Sequence, residues 1–276
     1  MILNSLYASF LAGLLAAGLA ACQAGSGPRQ PNPSPSPVVS PTPSASASAS
    51  ALQNPVIHTG CDSGFIICPA GEPCALPSCA SPPMALAQEA PLFIEEARHD
   101  ELKSRFGLFS VSRAEDHLGG LMPQLPLAKG FKAPCDAGQG LYRSGGRLNA
   151  CVVYIVQTGP DAYALIDSPA QASSRFAPVD SREEAVSFVS LLTGHDPRYS
   201  LGLEPGWRYF SRTIEPTRVE ATNEGYLLSL FDYQIFGCGP HPHFEVSYSL
   251  ARSGELRETG RRKLYEDPDQ DGLCVD

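Results

Sequence analysis

Residues 243–251 read HFEVSYSLA, and this stretch decides the fold class. Apolar and polar residues alternate along it, which is the period-two pattern of a strand with one buried face. The apolar positions are Phe244, Val246, Tyr248 and Leu250. Neighbouring segments have a similar strand-like composition and are separated by short turns containing glycine. The C-terminal part of the chain is therefore predicted to be an antiparallel β-meander, with strands over residues 207–214, 218–221, 226–233, 243–251 and 256–264.

Helices are predicted upstream of this meander. Residues 182–193 have an apolar stripe at helical spacing, and Ser181 and Glu184 form a capping-box pattern before it. Gly194 ends this helix. A second helix is predicted over residues 91–106. Two strands, 152–157 and 162–167, form a predicted hairpin, and residues 118–150 are predicted to be loop because they are rich in Gly and Pro.

These elements together predict an α+β fold, in which one or two helices pack on a curled antiparallel β-meander sheet supported by disulfides. The layout is broadly similar to the cystatin and nuclear-transport-factor shapes. A similarity of layout implies no function.

The N-terminus reads MILNSLYASFLAGLLAAGLAAC, an apolar run followed by small residues. Residues 1–21 are therefore predicted to be a signal peptide. Leu19-Ala20-Ala21-Cys22 resembles the lipobox of bacterial lipoproteins. The resemblance implies cleavage before Cys22, a diacylglycerol thioether on its sulfur, and an acyl chain such as palmitate on the new amine. The segment departs from the pattern in having no Lys or Arg before the apolar run. A plain secretory signal or a single anchoring helix is the alternative.

This resemblance implies a location in the cell envelope, on the extracytoplasmic side, with the membrane as a partner through the lipid anchor. The residue after the cysteine is Gln23 and not Asp, which resembles the outer-membrane default of Gram-negative lipoproteins. Residues 22–56 are dominated by Pro, Ser and Ala and are predicted to be a disordered, semi-stiff tether. Residues 57–80 are predicted to be a Cys-rich collar that buries little and depends on crosslinks. Residues 81–276 are predicted to be the globular domain.

The chain has nine cysteines, so lipidation of Cys22 leaves eight. An even number in an exported chain predicts up to four disulfides. The first four of the eight are separated by six, five and four residues, without the tight pairs that zinc modules use. We expect these four to pair among themselves and the last four likewise. The eight are Cys61, Cys68, Cys74, Cys79, Cys135, Cys151, Cys238 and Cys274.

The formal net charge of −9 argues against a nucleic-acid partner, which would call for a basic surface. No cofactor motif is present: the glycines at 138–146 lack the phosphate-loop pattern. No second membrane span is expected after Cys22.

Two segments are candidate metal sites. Residues 238–243 place His241 and His243 close to a cysteine, a combination that suits copper or zinc. Residues 267–272 place Asp267, Asp269 and Asp271 at the spacing of a calcium loop, but the twelfth-position Glu has no counterpart. A rigid turn and an acidic, disulfide-pinned tail are the favoured interpretations of these segments.

No nucleophile elbow of the form G-x-S-x-G is present. The neighbouring pairs His99-Asp100, Asp116-His117 and His195-Asp196 are interpreted as surface pairs. The leading hypothesis is a non-enzymatic, lipid-anchored envelope domain that binds an unknown envelope partner or has a structural role. The alternatives are a metal-binding envelope protein and an envelope hydrolase whose residues converge only in three dimensions. The hydrolase would show a pocket holding a His or a carboxylate beside a nucleophile.

Overall fold

The computed structural model describes residues 50–53, 55–59, 64–70 and 90–276. They all belong to one compact unit, Ser48–Asp276. The predicted signal peptide, Cys22 and nearly all of the tether lie outside the described residues, so the predictions made for them stay predictions. Within the described ranges, no helix has both the length and the apolar composition needed to cross a membrane.

The described residues form three α-helices and a larger number of strands, most of them antiparallel. The helices are α1 (His99–Phe106), α2 (Pro169–Phe176) and α3 (Arg182–Thr193). Short 3-10 turns occur at Glu96–Arg98, Asp116–Leu118 and Pro268–Gln270. The strands are β1 (Pro55–Thr59), β2 (Phe65–Pro69), β3 (Ser110–Arg113), β4 (Leu127–Lys132), β5 (Tyr142–Arg143), β6 (Cys151–Gly159), β7 (Ala162–Ile166), β8 (Arg208–Tyr209), β9 (Thr213–Ile214), β10 (Val219–Ala221), β11 (Gly225–Tyr233), β12 (Gly237–Cys238), β13 (Pro242–Ala251), β14 (Leu256–Glu266) and β15 (Cys274–Val275).

Helix α3 lies at the centre of the fold and has the predicted bounds. Ser181 Oγ accepts a hydrogen bond from Glu184 N at 3.0 Å, and Glu184 Oε2 accepts one from Ser181 N at 2.9 Å, so the predicted capping box is confirmed. Every residue from 184 to 192 is buried. The polar face is buried as well, because Ser187 Oγ donates to His117 O at 2.7 Å. One helix therefore joins the apolar surfaces of two sheets.

The first sheet has the order β3-β4-β6-β5, and β7 also pairs with β6. Its central strand β6 is covered on both faces. Val152, Tyr154 and Val156 pack into the core around α3, whereas Val153 and Ile155 pack into a second core that contains Leu102 of α1. Burial on both faces explains why this strand reads as an almost continuous apolar run.

The second sheet has the order β10-β11-β13-β14-β8, with all of its pairs antiparallel. It contains four of the five predicted meander strands, so the coarse α+β prediction with a curled antiparallel sheet is confirmed. The predicted strand 207–214 is wrong. It divides into β8, which pairs with β14, and β9, which pairs with β2 in a different sheet.

Three other predictions need correction. Residues 118–150 are not all loop, because they contain β4 and β5. The helix predicted over 91–106 begins later in the chain than predicted. Phe93 forms a parallel bridge with Leu127, and Ile94 N donates to Leu127 O at 3.0 Å, so the chain around these two residues is extended. Helix α2 was not predicted at all, although Ser168 Oγ caps it by accepting from Gln171 N.

The described strands that contain collar residues belong to the core, and the folded part begins before the collar: β1 starts at Pro55, inside the predicted tether, and Leu52 N donates to Tyr209 O. Strands β1 and β2 pair with each other, and β2 also pairs with β9. Ile67 is completely buried and packs in one cluster with Tyr209, Ile214 and Leu264. The expectation that the collar buries little is therefore wrong for these residues.

Disulfides join Cys135 to Cys151 and Cys238 to Cys274. The prediction that the last four cysteines pair among themselves is confirmed. Cys68 is also disulfide-bonded, whereas the other three cysteines of the first group lie outside the described residues. Disulfides persist in oxidising compartments, so they indicate an extracytoplasmic protein.

Candidate functional site

A cavity of about 630 Å³ lies beyond the C-terminal end of α3, between the two sheets. Its walls come from β4 and β5 of the first sheet, from the chain that follows α3, and from the end of β11 with the residues after it. The volume is within the range typical of small-molecule sites. Its lining is mixed, and the polar groups that matter most are Lys129, Arg143, His195 and Asp232.

His195 is held at the cavity by the backbone on both sides. Gly194 has a φ of 73°, which ends α3 and turns the chain. Asp196 and Phe231 then exchange two backbone hydrogen bonds of 2.9 Å, so this segment runs along β11. The His195 side chain is 13% exposed, and its Nε2 lies 3.9 Å from Asp232 Oδ1.

The other ring nitrogen of His195 lies 2.5 Å from the Tyr248 hydroxyl oxygen. Burial lowers the pKa of His195 against the opposing effect of Asp232, so the ring is neutral near pH 7. A neutral ring carries one proton, and the nearby Asp232 carboxylate favours its placement on Nε2. Tyr248 then donates to Nδ1, and the nitrogen nearest to Asp232 is a donor.

A second polar network lies on the wall formed by the first sheet. Lys129 Nζ forms an ion pair with Glu115 Oε1, and Tyr154 donates from its hydroxyl to Glu115 Oε2 at 2.7 Å. Because the Tyr154 proton is used in this way, Tyr142 donates to the Tyr154 oxygen at 3.2 Å. Burial alone would raise the pKa of Glu115, but the charge of Lys129 and the hydrogen bonds from Lys129 and Tyr154 together hold this pKa below its usual value. Burial also raises the pKa of both tyrosines, so they stay neutral.

The carboxylates near the cavity already have partners. Glu115 is paired with Lys129, and Arg261 Nη1 donates to Asp232 Oδ2 at 2.5 Å. Arg143 differs, because its Nη2 donates only to the backbone oxygen of Cys135 at 3.1 Å, and it forms no ion pair with the described residues. The cavity therefore presents an excess of hydrogen-bond donors and one uncompensated positive charge.

The cavity places a histidine and a carboxylate together, but the nearest hydroxyls are poor nucleophiles. Tyr248 is 3% exposed and is not part of the cavity lining, so its hydroxyl does not face a molecule in the cavity. Thr193 Oγ1 donates to Val189 O at 2.8 Å, within its own helix. The arrangement suits the binding of a hydrogen-bond acceptor better than nucleophilic attack by a side-chain hydroxyl.

The two histidines of the predicted metal segment do not reach the cavity. His241 is buried, and its ring nitrogens lie 3.2 Å from Gln234 O and 3.0 Å from Leu273 O. His243 lies between the rings of Tyr233 and Tyr265, with centroid distances of 4.1 and 4.4 Å. Both side chains have packing roles in the turn and sheet.

The three aspartates of the predicted calcium segment have separate surroundings. Asp267 caps the 3-10 turn by accepting from Asp269 N at 3.0 Å, and Asp271 forms an ion pair with Arg208. Asp269 is exposed. In the part of the chain that the structure describes, no group of three or more His, Cys, Asp or Glu side chains is arranged to hold a metal ion. The metal hypothesis therefore gains no support from these positions.

The interpretation of His195 and His117 as members of surface pairs is wrong. Their side chains are 13% and 19% exposed, and His117 Nδ1 lies 3.9 Å from Asp196 Oδ1, whereas the Asp116 carboxylate pairs with Arg113. A hint was present in the sequence, because His195 directly follows the glycine that ends the best-predicted helix.

Comparisons with known proteins give no match, either to a family model, to a curated sequence or to a solved structure.

Gly194→Ala is expected to destabilise the protein by about 2 kcal/mol, because an L-residue is strained at this positive φ and its Cβ would overlap the Tyr142 ring. Gly107→Ala is the matched control: its φ is 61° and a Cβ there meets no atom within 4 Å. Urea unfolding of both variants checks the prediction. Equal losses would show that Tyr142 does not pack tightly on this turn.

Proposed function

We propose that this protein is a lipid-anchored, extracytoplasmic binding protein whose cavity takes a small organic anion. The observation that carries the ligand class is the convergence of donors from three separate elements. Lys129 comes from β4, Arg143 from β5 and His195 from the chain after α3. Binding and not catalysis is favoured because the Tyr248 hydroxyl is buried and is not part of the cavity lining, and the Thr193 hydroxyl donates within its own helix.

Charge complementarity favours an anion. The whole chain is acidic, yet Arg143 is without a carboxylate partner among the described residues, and Lys129 has further donor positions besides the one used by Glu115. An ammonium group can donate three hydrogen bonds and a guanidinium five. A ligand carboxylate would use these donors, whereas an organic cation would meet Arg143 and be repelled.

The binding test uses hexanoate as the probe and saturation-transfer NMR as the readout, with the full chain carrying Cys22→Ser. We expect hexanoate to give a signal and hexylammonium to give none. Arg143→Gln is expected to weaken hexanoate binding by about tenfold, as for the loss of one charge-assisted hydrogen bond. Arg257→Gln on β14 is the matched control, since it removes the same charge from an exposed site outside the cavity. Equal signals from the two probes, or equal losses in the two variants, would contradict the proposal.

The anchor is tested separately. Cys22→Ser is expected to abolish incorporation of labelled palmitate and to leave the chain either released from membranes or uncleaved, because the thioether needs the cysteine sulfur. Two or more acyl chains are needed for stable anchoring, so loss of all of them removes it. Retention of the label with unchanged detergent-phase partitioning would exclude this anchor.

A further inference from the structure

An apolar groove of about 310 Å³ lies beside the cavity and shares part of its wall. Phe131, Ser144, Gly145 and Phe236 line both. Apolar side chains dominate the rest of the groove, above all Phe109 and Leu148. The two spaces are therefore neighbours separated by few side chains.

Three of the apolar side chains that line the groove are unusually exposed to solvent. Phe109 is 53% exposed, Leu148 is 59% exposed and Phe236 is 46% exposed. Single exposed apolar residues are normal on a protein surface, but a contiguous group of them marks a binding surface. Here the three lie around one depression instead of being scattered.

Phe236 is held in place by its surroundings although it is exposed. Gly145 and Gly146 have φ values of 76° and 69°, and the Phe236 ring lies directly against their backbone. A Cβ on Gly146 would be 2.8 Å from Phe236 Cε1. The glycine pair thus makes room for the ring that separates cavity and groove.

The charges differ between the two spaces. The groove lining holds one residue of each sign, Arg147 and Asp276, whereas in the cavity Lys129 is paired with Glu115 and Asp232 with Arg261, which leaves Arg143 as the uncompensated charge. The positive end of the combined site is therefore in the cavity, and the apolar end is in the groove.

We infer that cavity and groove form one site for a single-chain amphipathic carboxylate, with the carboxylate beside Arg143 and Lys129 and the alkyl chain along Phe236, Phe109 and Leu148. This rests on the proposed function, which it extends from small anions in general to one class of them. The charged end supplies orientation, and the alkyl chain supplies affinity by leaving water.

The test measures dissociation constants of butanoate, hexanoate and octanoate, each below its micelle concentration. A fully buried methylene is worth about fourfold in affinity, and in a half-open groove about twofold is expected, so octanoate should bind at least about tenfold more tightly than butanoate. Leu148→Ser is expected to reduce this ratio to about threefold or less. Leu92→Ser is the matched control, because Leu92 is 51% exposed and lies outside both spaces.

The outcomes separate the two proposals. If hexanoate binding depends on Arg143 but the affinity does not rise from butanoate to octanoate, the amphipathic site is overturned and the anion site stands. A steep length dependence that is equal in the two leucine variants would place the alkyl chain elsewhere and also overturn the inference. Two results together would identify the groove as a membrane contact and reject the inference. These are that octanoate does not bind, and that Leu148→Ser weakens binding of the protein to anionic phosphatidylglycerol vesicles. Absence of binding by all three acids would reject both proposals.

Discussion

Lys129→Met is expected to lower the free energy of unfolding by about 3 kcal/mol, because it leaves the Glu115 carboxylate without its cation. The two side chains are 19% and 25% exposed, so the expected cost is at the lower end of the range for buried ion pairs. The Tyr154 hydrogen bond to Glu115 remains and offsets only part of the lost charge interaction. Chemical denaturation at pH 7 measures the change.

Two further variants make this prediction specific. Lys129→Met combined with Glu115→Gln is expected to recover most of the loss, because no unpaired charge is then buried. Lys132→Met on the same strand is the control, since Lys132 forms no ion pair with the described residues, and its expected cost is within about 0.5 kcal/mol. A cost for Lys129→Met no larger than this control would mean that the pair does not contribute to stability.

The pH dependence of the Lys129→Met variant gives an independent check. In the unsubstituted protein the pKa of Glu115 is lowered, so its stabilising effect is present above the unfolded-state pKa of 4.5 and is lost as the pH falls below it. In the variant, burial without Lys129 would raise that pKa. The stability deficit should therefore shrink as the pH is lowered from 7 to 5.

Acidification from pH 7 to pH 4.5 is expected to cost about 2 to 3 kcal/mol of stability through His243 alone. Burial lowers the pKa of this histidine to about 4, and the positive charge of Arg198 adds to the effect, against Asp267 and Asp232. Between pH 6.5 and pH 4, His243 binds a proton in the unfolded chain, where its pKa is 6.5, but not in the folded state. Stability is thus fully present above pH 6.5 and falls as the pH drops toward 4.

His243→Phe isolates this contribution, because a phenyl ring can keep the stack between Tyr233 and Tyr265 but cannot take up a proton. We expect this variant to lose less stability between pH 7 and pH 5 than the unsubstituted protein does. Burial also lowers the pKa of His195 and His117, so the variant should retain some acid sensitivity. Denaturation curves at several pH values provide the comparison. Identical slopes for the two proteins would exclude His243 as a source of the acid sensitivity.

The elements that were predicted well are those whose local pattern agrees with their final environment. The capping box before α3 and the glycine after it define the bounds of this helix without tertiary information. Apolar and polar residues alternate along strand β13 because one of its faces is buried and the other is not. In both elements, local and global preferences point to the same structure.

Strand β4 is not predicted from the sequence, because a region rich in Gly and Pro indicates loop. Gly130 is in fact a packing position: a Cβ there would be 2.7 Å from Leu108 Cδ1 and 3.0 Å from Val153 Cγ2. Close approach between layers requires the absence of a side chain, and a sequence window does not contain the neighbour that imposes this. The candidate site was missed for a similar reason, since Asp232 is far from His195 in sequence and meets it only when Asp196 pairs with Phe231.

The burial of α3 on all sides has a consequence for how the protein can fluctuate. Amide protons in residues 184–192 are expected to exchange with deuterium among the most slowly in the protein, because no face of this part of the helix is exposed to solvent. The two sheets share this buried helix, so separating them would expose the apolar residues that α3 now covers. The exposed part of the cavity wall includes Arg143 and Phe236, so a small molecule can reach the cavity there without any separation of the two sheets.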